Sequence, residues 1–174
     1  MTDTDPLILT LGFDEPSFRR FDTDRRRHFP SGRNMIPAHL TLFHKLPADQ
    51  LERIEGDLRD VAGDTGAMRL SVSGLRFLGY GSAYVLRSPM LDRMRAELAR
   101  RWTDWLTPQD AQRFQPHVTI QNKAPAAQAK ALFAELEDAF EPFEVEGVSL
   151  RLWYYRGGPW EAAGEFPFRA APGG

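Results

Sequence analysis

Cysteine is absent from the chain, which excludes disulfides, zinc–thiolate sites and thiol nucleophiles together. There is no large excess of charge of either sign. A net charge of −2 gives the whole molecule no attraction for nucleic acid or an anionic membrane, so a phosphate ligand must be held by local charge. Long apolar runs are missing as well: the stretch from Leu7 to Phe13 is far too short to span a bilayer or to form the core of a signal peptide. Nothing directs the chain elsewhere, so a cytoplasmic protein with no membrane partner is the expectation. What remains is ordinary for a globular protein, with 42% hydrophobic and 26% charged residues among 174. A chain of this size can bury roughly 70% of its unfolded surface.

Against that background two stretches stand out as copies. His39-Leu40-Thr41-Leu42-Phe43-His44-Lys45-Leu46-Pro47-Ala48-Asp49-Gln50 aligns without a gap on His117-Val118-Thr119-Ile120-Gln121-Asn122-Lys123-Ala124-Pro125-Ala126-Ala127-Gln128, with six of twelve positions identical at an offset of 78. Each begins with aliphatic residues at every second position, the period of a half-buried strand. His39 and Thr41 therefore share the face opposite Leu40 and Leu42, and His117 and Thr119 do the same in the second copy. Two duplicated strands of this kind would present two His-Thr pairs to one cleft.

The flanking pattern extends the duplication. Pro6 to Phe13 reads as a strand, and Pro16 opens a helix to about His28. Phe18 and Phe21 face inward on it, and Arg19, Arg20, Arg25, Arg26 and Arg27 mostly outward. That cluster is either a solvated face balanced by Asp22 and Asp24 or a rim that attracts a phosphate chain. After the first motif, Leu51, Ile54, Leu58 and Val61 mark a helix from about Pro47 to Ala62. Met68 to Leu78 and Ala83 to Arg87 are strands around a Gly79-Tyr80-Gly81 turn. Ser88 caps and Pro89 opens the next helix, whose stripe of Leu91, Met94, Leu98, Trp102 and Trp105 stops before Pro108. Beyond the second motif come a helix from about Pro125 to Phe140, a strand from Phe143 to Tyr155, a Gly157-Gly158-Pro159 turn and a partner strand, Trp160 to Phe168.

Leu7 and Val85 each stand 32 residues ahead of a motif histidine, and Val72-Ser73-Gly74-Leu75-Arg76-Phe77 resembles Val148-Ser149-Leu150-Arg151-Leu152 at an offset of 75 to 76. Each half reads strand, helix, motif strand, helix, strand. The expected fold is α+β: one bilobal domain over 1–174, formed by repeats of about 6–78 and 82–168 with a tail from 169. Two mainly antiparallel sheets would surround a central cleft, with helices outside.

Histidine, with an unperturbed pKa of about 6.5, both takes and gives protons near neutral pH. Two of them on either side of a phosphorus atom suit in-line displacement, one deprotonating the attacking group and the other protonating the leaving oxygen. Thr41 and Thr119 would stand beside the non-bridging oxygens. Lys45 and Lys123, six residues past each histidine, share that face only if the strands persist, and a solvated strand end is the alternative. His28 and His44 lack counterparts in the other half and are expected to be peripheral.

The paired His39-Leu40-Thr41-Leu42 and His117-Val118-Thr119-Ile120, each closely preceded by proline (Pro37, Pro116), resemble the His-x-Thr-x signatures of the two-histidine (2H) phosphoesterase superfamily. The chain is similar in particular to its bacterial branch of 2'-5' RNA ligases, or RNA 2',3'-cyclic phosphodiesterases, from about Leu7 to Phe168. The resemblance implies a bilobal fold with the motifs lining a cleft, no metal or other cofactor, and action on 2',3'-cyclic phosphates or 2',5'-phosphodiesters of RNA ends or small nucleotides. It further implies that His117 activates water and His39 protonates the leaving 3'-oxygen, with Thr41 and Thr119 on phosphate oxygens. Phe43-His44-Lys45-Leu46-Pro47 departs from the Phe-Leu-Gly ending of the ligase-like pattern, a departure that bears on substrate more than on chemistry.

Phe43, Tyr80, Tyr84, Trp153 and Tyr155 near strand ends are candidates for stacking on a base, with core or rim packing as the alternative. Arg76, Arg151 and Arg156 are candidates for the cleft mouth. Substrate contacts are thus expected from Lys45, Lys123, Phe43, Tyr84 and Arg156, in a monomer. Two competing readings are a nucleotide- or RNA-end-binding module without turnover, and a hydrolase with His39, His44 and His117 as metal ligands. The latter is weakened by the lack of HExxH-like spacing and of carboxylates near either motif.

Overall fold

Apolar alternation and turn chemistry place the elements close to where the sequence puts them. The computed structural model describes residues 4–169. Its strands are β1 (Leu7–Phe13), β2 (Leu40–Leu46), β3 (Met68–Phe77), β4 (Ser82–Arg87), β5 (His117–Gln121), β6 (Phe143–Tyr154) and β7 (Glu161–Pro167). The helices are α1 (Glu15–His28), α2 (Leu51–Gly63), α3 (Pro89–Arg101), the single turn α4 (Pro108–Ala111) and α5 (Ala126–Ala139). Asp14 accepts the Ser17 N–H at the start of α1, and Ser88 accepts the Leu91 N–H at the start of α3, each with proline in the first turn. Gly79, at φ +89°, makes the β3–β4 turn in a conformation that other residues rarely adopt. Of the tail expected from Arg169, the Arg169 N–H donates to the Thr65 carbonyl at 2.7 Å and the rest lies outside the described residues; among those described no helix is long and apolar enough to cross a membrane.

All strand pairings are antiparallel, and the order is β2-β1-β6-β3-β4-β5, with β7 on β6. The two sheets expected from the duplication are one continuous sheet, because β6 pairs with β3 through residues 143–147, with β1 through 147–154 and with β7 through 149–154. The order is palindromic when β1, β2 and β6 are exchanged for β4, β5 and β3. The third strand of each sequence repeat therefore pairs with the first strand of the other. β2 and β5, at opposite ends of the order, approach each other in space, so the sheet curls until its two motif strands meet.

One face of the curled sheet carries the core. Leu7, Leu9, Leu40, Leu42, Leu150 and Leu152 are buried in one half, where α2 packs on β6 and β7, and Leu70, Val72, Leu86, Val118 and Ile120 fill the other. The crossover helices exchange sides as the strands do. Phe21 of α1 packs on Tyr84 and Phe143 at 5.7 and 6.1 Å, while the fully buried Trp102 after α3 packs edge-on to Phe43 at 5.0 Å. Aromatic pairs at these separations add about 0.5–1.5 kcal/mol beyond their area.

The register corrects one reading of the repeat. Thr10 stands opposite Thr41 and Ala83 opposite Thr119, so β1 and β4 correspond at an offset of 73 rather than 78, and Val85 matches Gly12, not Leu7. Leu7 faces the core, whereas Val85 pairs with His117.

Candidate active site

β2 and β5 are edge strands, and an uncovered edge carries unpaired backbone groups. Two buried arginines, each from a helix of the other half, cover them. Arg25 of α1 donates from Nη1 to the Thr119 carbonyl at 2.9 Å and from Nε to Asn34 Oδ1 at 2.9 Å, so one guanidinium ties the approach to the first motif to the second motif itself. Arg95 of α3 donates from Nε to the Leu42 carbonyl at 3.1 Å and from Nη2 to the Asp110 carbonyl, with its guanidinium 4.1 Å over the Phe43 ring. The Asp110 carboxylate, 1% exposed, then accepts the N–H groups of His44 and Lys45 at 2.8 and 3.0 Å. Arg25 was expected to point outward. It is buried because the edge of β5 needs its donors.

On this frame the two motif histidines are held alike. His39 Nδ1 lies 2.8 Å from the Pro37 carbonyl, and His117 Nδ1 lies 2.8 Å from the Gln115 carbonyl, each two residues earlier in the chain. A carbonyl only accepts, so both Nδ1 atoms carry the proton and both neutral rings present the lone pair on Nε2. The threonines repeat the symmetry. Thr41 pairs with Thr10 and Thr10 with Arg151; Thr119 pairs with Ala83 and Ala83 with Arg76. Directly opposed residues share a face. Each motif threonine thus heads a row that ends two strands away on an arginine, Arg151 held by Glu165 at 2.6 Å and Arg76 by Gln115 Oε1 at 3.0 Å.

Around His39 the site is apolar. Trp160 packs on its ring at 4.7 Å between centroids, and Trp153, whose Nε1 donates to Thr10 Oγ1 at 2.9 Å, joins Trp160, Phe18 and Met35 around a cavity of about 300 Å³. Desolvation lowers the His39 pKa to about 4; the Pro37 hydrogen bond opposes this, and the charges of Arg25, His117 and His44 add to it. His117 is also lowered, first by desolvation, against the Gln115 hydrogen bond and with help from Arg76 and His44. His39 is therefore within reach of the charge of His117.

Acid–base catalysis needs one ring protonated and one neutral, and kcat/KM titrates the free protein. Both rings hold their protons less well than ordinary histidine, so kcat/KM should peak between about pH 4 and 6.5 and fall as pH rises further. A pH series on a diester substrate checks this, and a maximum above pH 7 would contradict it.

The structure brings together His39, His117, Thr41 and Thr119, but not the other expected contacts. Phe43 is fully buried against Trp102, because β2 slips register between the Thr41 and Phe43 pairs and again before Leu46. Those slips also undo the shared-face argument for Lys45. Tyr84 shares the core face with Leu86, and its hydroxyl donates to Asp24 Oδ2 at 2.7 Å. Lys123 lies beyond the end of β5 at φ 60°. Arg156 pairs with Asp5 and Glu161 outside the motif strands. Trp160 was missed, since a tryptophan after Gly-Gly-Pro carries no local sign of contact with a histidine over a hundred residues earlier. Among the described residues no three histidine or carboxylate side chains converge to hold a metal ion, so His39, His44 and His117 do not form a ligand set.

This curled antiparallel sheet with outer helices is the fold of two-histidine phosphoesterases. A protein of Thermus thermophilus, TT0787, is 16% identical with a TM-score of 0.62 over 95% of this chain and 98% of its own. E. coli LigT complexed with 3'-AMP is 15% identical at 0.60, and LigT complexed with NADP+ is 14% identical at 0.59, each over 95% of this chain and 99% of LigT. No curated protein matches by sequence. The family model of the 2'-5' RNA ligase superfamily matches residues 13–159, and the chain belongs to that superfamily.

Proposed function

We propose that the protein is a phosphodiesterase that opens 2',3'-cyclic phosphates at RNA ends or on small nucleotides, and that the same ring opening with a 5'-hydroxyl in place of water joins ends through a 2',5' bond. The observation that carries this reading is the matched pair of histidines, each locked by a backbone carbonyl with Nε2 available for proton exchange. Water attacks phosphorus as one imidazole takes its proton. The P–O3' bond breaks as the other imidazole gives a proton to the departing oxygen, leaving a 2'-phosphate. Both rings must be neutral and protonated in turn, and an anionic phosphate between them favours the imidazolium of the acid. Thr41 and Thr119 donate to the non-bridging oxygens, where charge grows in the transition state. The cavity walled by Trp153 and Trp160 suits a nucleobase, whose stacking is worth about 1–3 kcal/mol. LigT, the same fold, is found complexed with 3'-AMP and with NADP+.

The test is turnover of a nucleoside 2',3'-cyclic phosphate and of a short RNA with a cyclic phosphate end, in excess EDTA. The expected product is the 2'-phosphate; absence of turnover on both would overturn the reading. Thr41→Val and Thr119→Val should each lower kcat by about 10²-fold. Thermal stability should hardly change, because both side chains are only half-buried on the cleft face. Wild-type kinetics in both variants would remove the hydroxyls from the mechanism.

A further inference from the structure

The two histidines share a tautomer but not surroundings. Beside His117 lies a second cavity, of about 290 Å³, walled by Arg76, Arg87 and Arg113 with Asp92, Gln115 and Phe114. The three arginines come from β3, from the end of β4 and from the loop before β5, so the fold gathers them from separate places. Many exposed arginines elsewhere are tied to carboxylates, as in Arg26–Asp22, Arg59–Glu55 and Arg69–Glu144. Among the described residues none of these three forms an ion pair: Arg76 holds a glutamine oxygen, and Arg87 donates to Ser73 Oγ at 3.3 Å. Asp92 is the single acidic residue in the wall, against three arginines. By contrast, the cavity beside His39 has one arginine in its wall, Arg151, and Glu165 neutralises it.

Guanidinium groups that converge on a hollow without carboxylate partners repel one another until an anion arrives. Their forked donors suit phosphate oxygens. We infer that the Arg76–Arg87–Arg113 cavity is a subsite for a second phosphate of the substrate, beside the phosphorus under attack. The inference rests on the phosphodiester reading above and narrows it. The preferred substrate is a diester within a nucleotide or strand that carries a further phosphate, rather than a bare nucleoside cyclic phosphate. That phosphate belongs either to the 5' position of the same nucleotide or to the nucleotide joined through the 2',5' bond.

Binding reads the subsite independently of turnover. Calorimetric titration would compare adenosine 2'-phosphate with adenosine 2',5'-bisphosphate, and a 2',5'-linked diadenosine with and without a 3'-terminal phosphate. At least one phosphorylated member should bind tenfold or more tightly than its partner. The advantage should vanish in Arg87→Ala/Arg113→Ala and be reduced but retained in Arg87→Lys/Arg113→Lys, which keep the charge without the fork. Both side chains are exposed, so the fold should survive. Whichever pair discriminates identifies the source of the phosphate. Equal affinity within both pairs, or an advantage that survives the double alanine variant, would overturn the inference. Failure of turnover together with an intact, Arg87/Arg113-dependent advantage would instead sink the phosphodiesterase reading and leave the subsite standing.

Discussion

Replacing either His39 or His117 with alanine should lower kcat/KM on a 2',3'-cyclic phosphate by about 10²–10⁴-fold, and replacing both should cost little more than the worse single change. Residues that serve one transition state are not additive, because the second proton transfer contributes little once the first has failed. The two single variants should also differ from each other. The family resemblance gives His117 the water and His39 the leaving oxygen, whereas the stronger desolvation of His39 makes it the readier base. A diester with a p-nitrophenolate leaving group needs no general acid. On that substrate the variant lacking the acid should recover most of its loss and the variant lacking the base should not. Near-wild-type rates on the cyclic phosphate in either variant would mean that protons move by another route.

The second large effect concerns the frame rather than the chemistry. Asp110→Ala should destabilise the fold by about 3 kcal/mol, since it removes the acceptor of two backbone N–H groups of an edge strand, those of His44 and Lys45. Urea unfolding would read the change as a lower midpoint at unchanged slope. Asp110→Asn, which keeps one acceptor oxygen, should fall between wild type and alanine. Burial pushes the Asp110 carboxyl up, but the His44 side chain and the His44 and Lys45 N–H groups outweigh it, so the pKa sits below its ordinary value. A carboxylate lowered in the folded state adds stability above its unfolded pKa and loses it as pH falls. The deficit of the alanine variant should therefore shrink below about pH 4. A change under 0.5 kcal/mol at neutral pH, roughly the scatter of ordinary surface substitutions, would show that water replaces the carboxylate.

Particular residues show why some of this was legible in the sequence and some was not. His39, Thr41, His117 and Thr119 could be found because their strands are short, alternate cleanly and were copied together, so local period and identity pointed the same way. Helix starts at Pro16 and Ser88-Pro89 were legible because a cap is a local device. The exchange of β3 and β6 was not, since antiparallel pairing depends on partners dozens of residues away. Arg25 looked like one cation among five on a solvated helix, and only the edge of β5 explains its burial. Phe43 was misplaced by a register slip that a regular two-residue period cannot anticipate. Tyr84 could have been placed, because it alternates in step with Leu86 and against Val85.

The central claim is that His39 and His117 share the proton work. Its most direct test is the pH dependence of kcat/KM on a nucleoside 2',3'-cyclic phosphate in excess EDTA, for wild type, His39→Ala and His117→Ala. The expected result is a bell on the acid side of pH 6.5 for wild type, and in each variant a fall of at least about 10²-fold with one limb of the bell gone. A variant that keeps both limbs and its rate would contradict the two-histidine account.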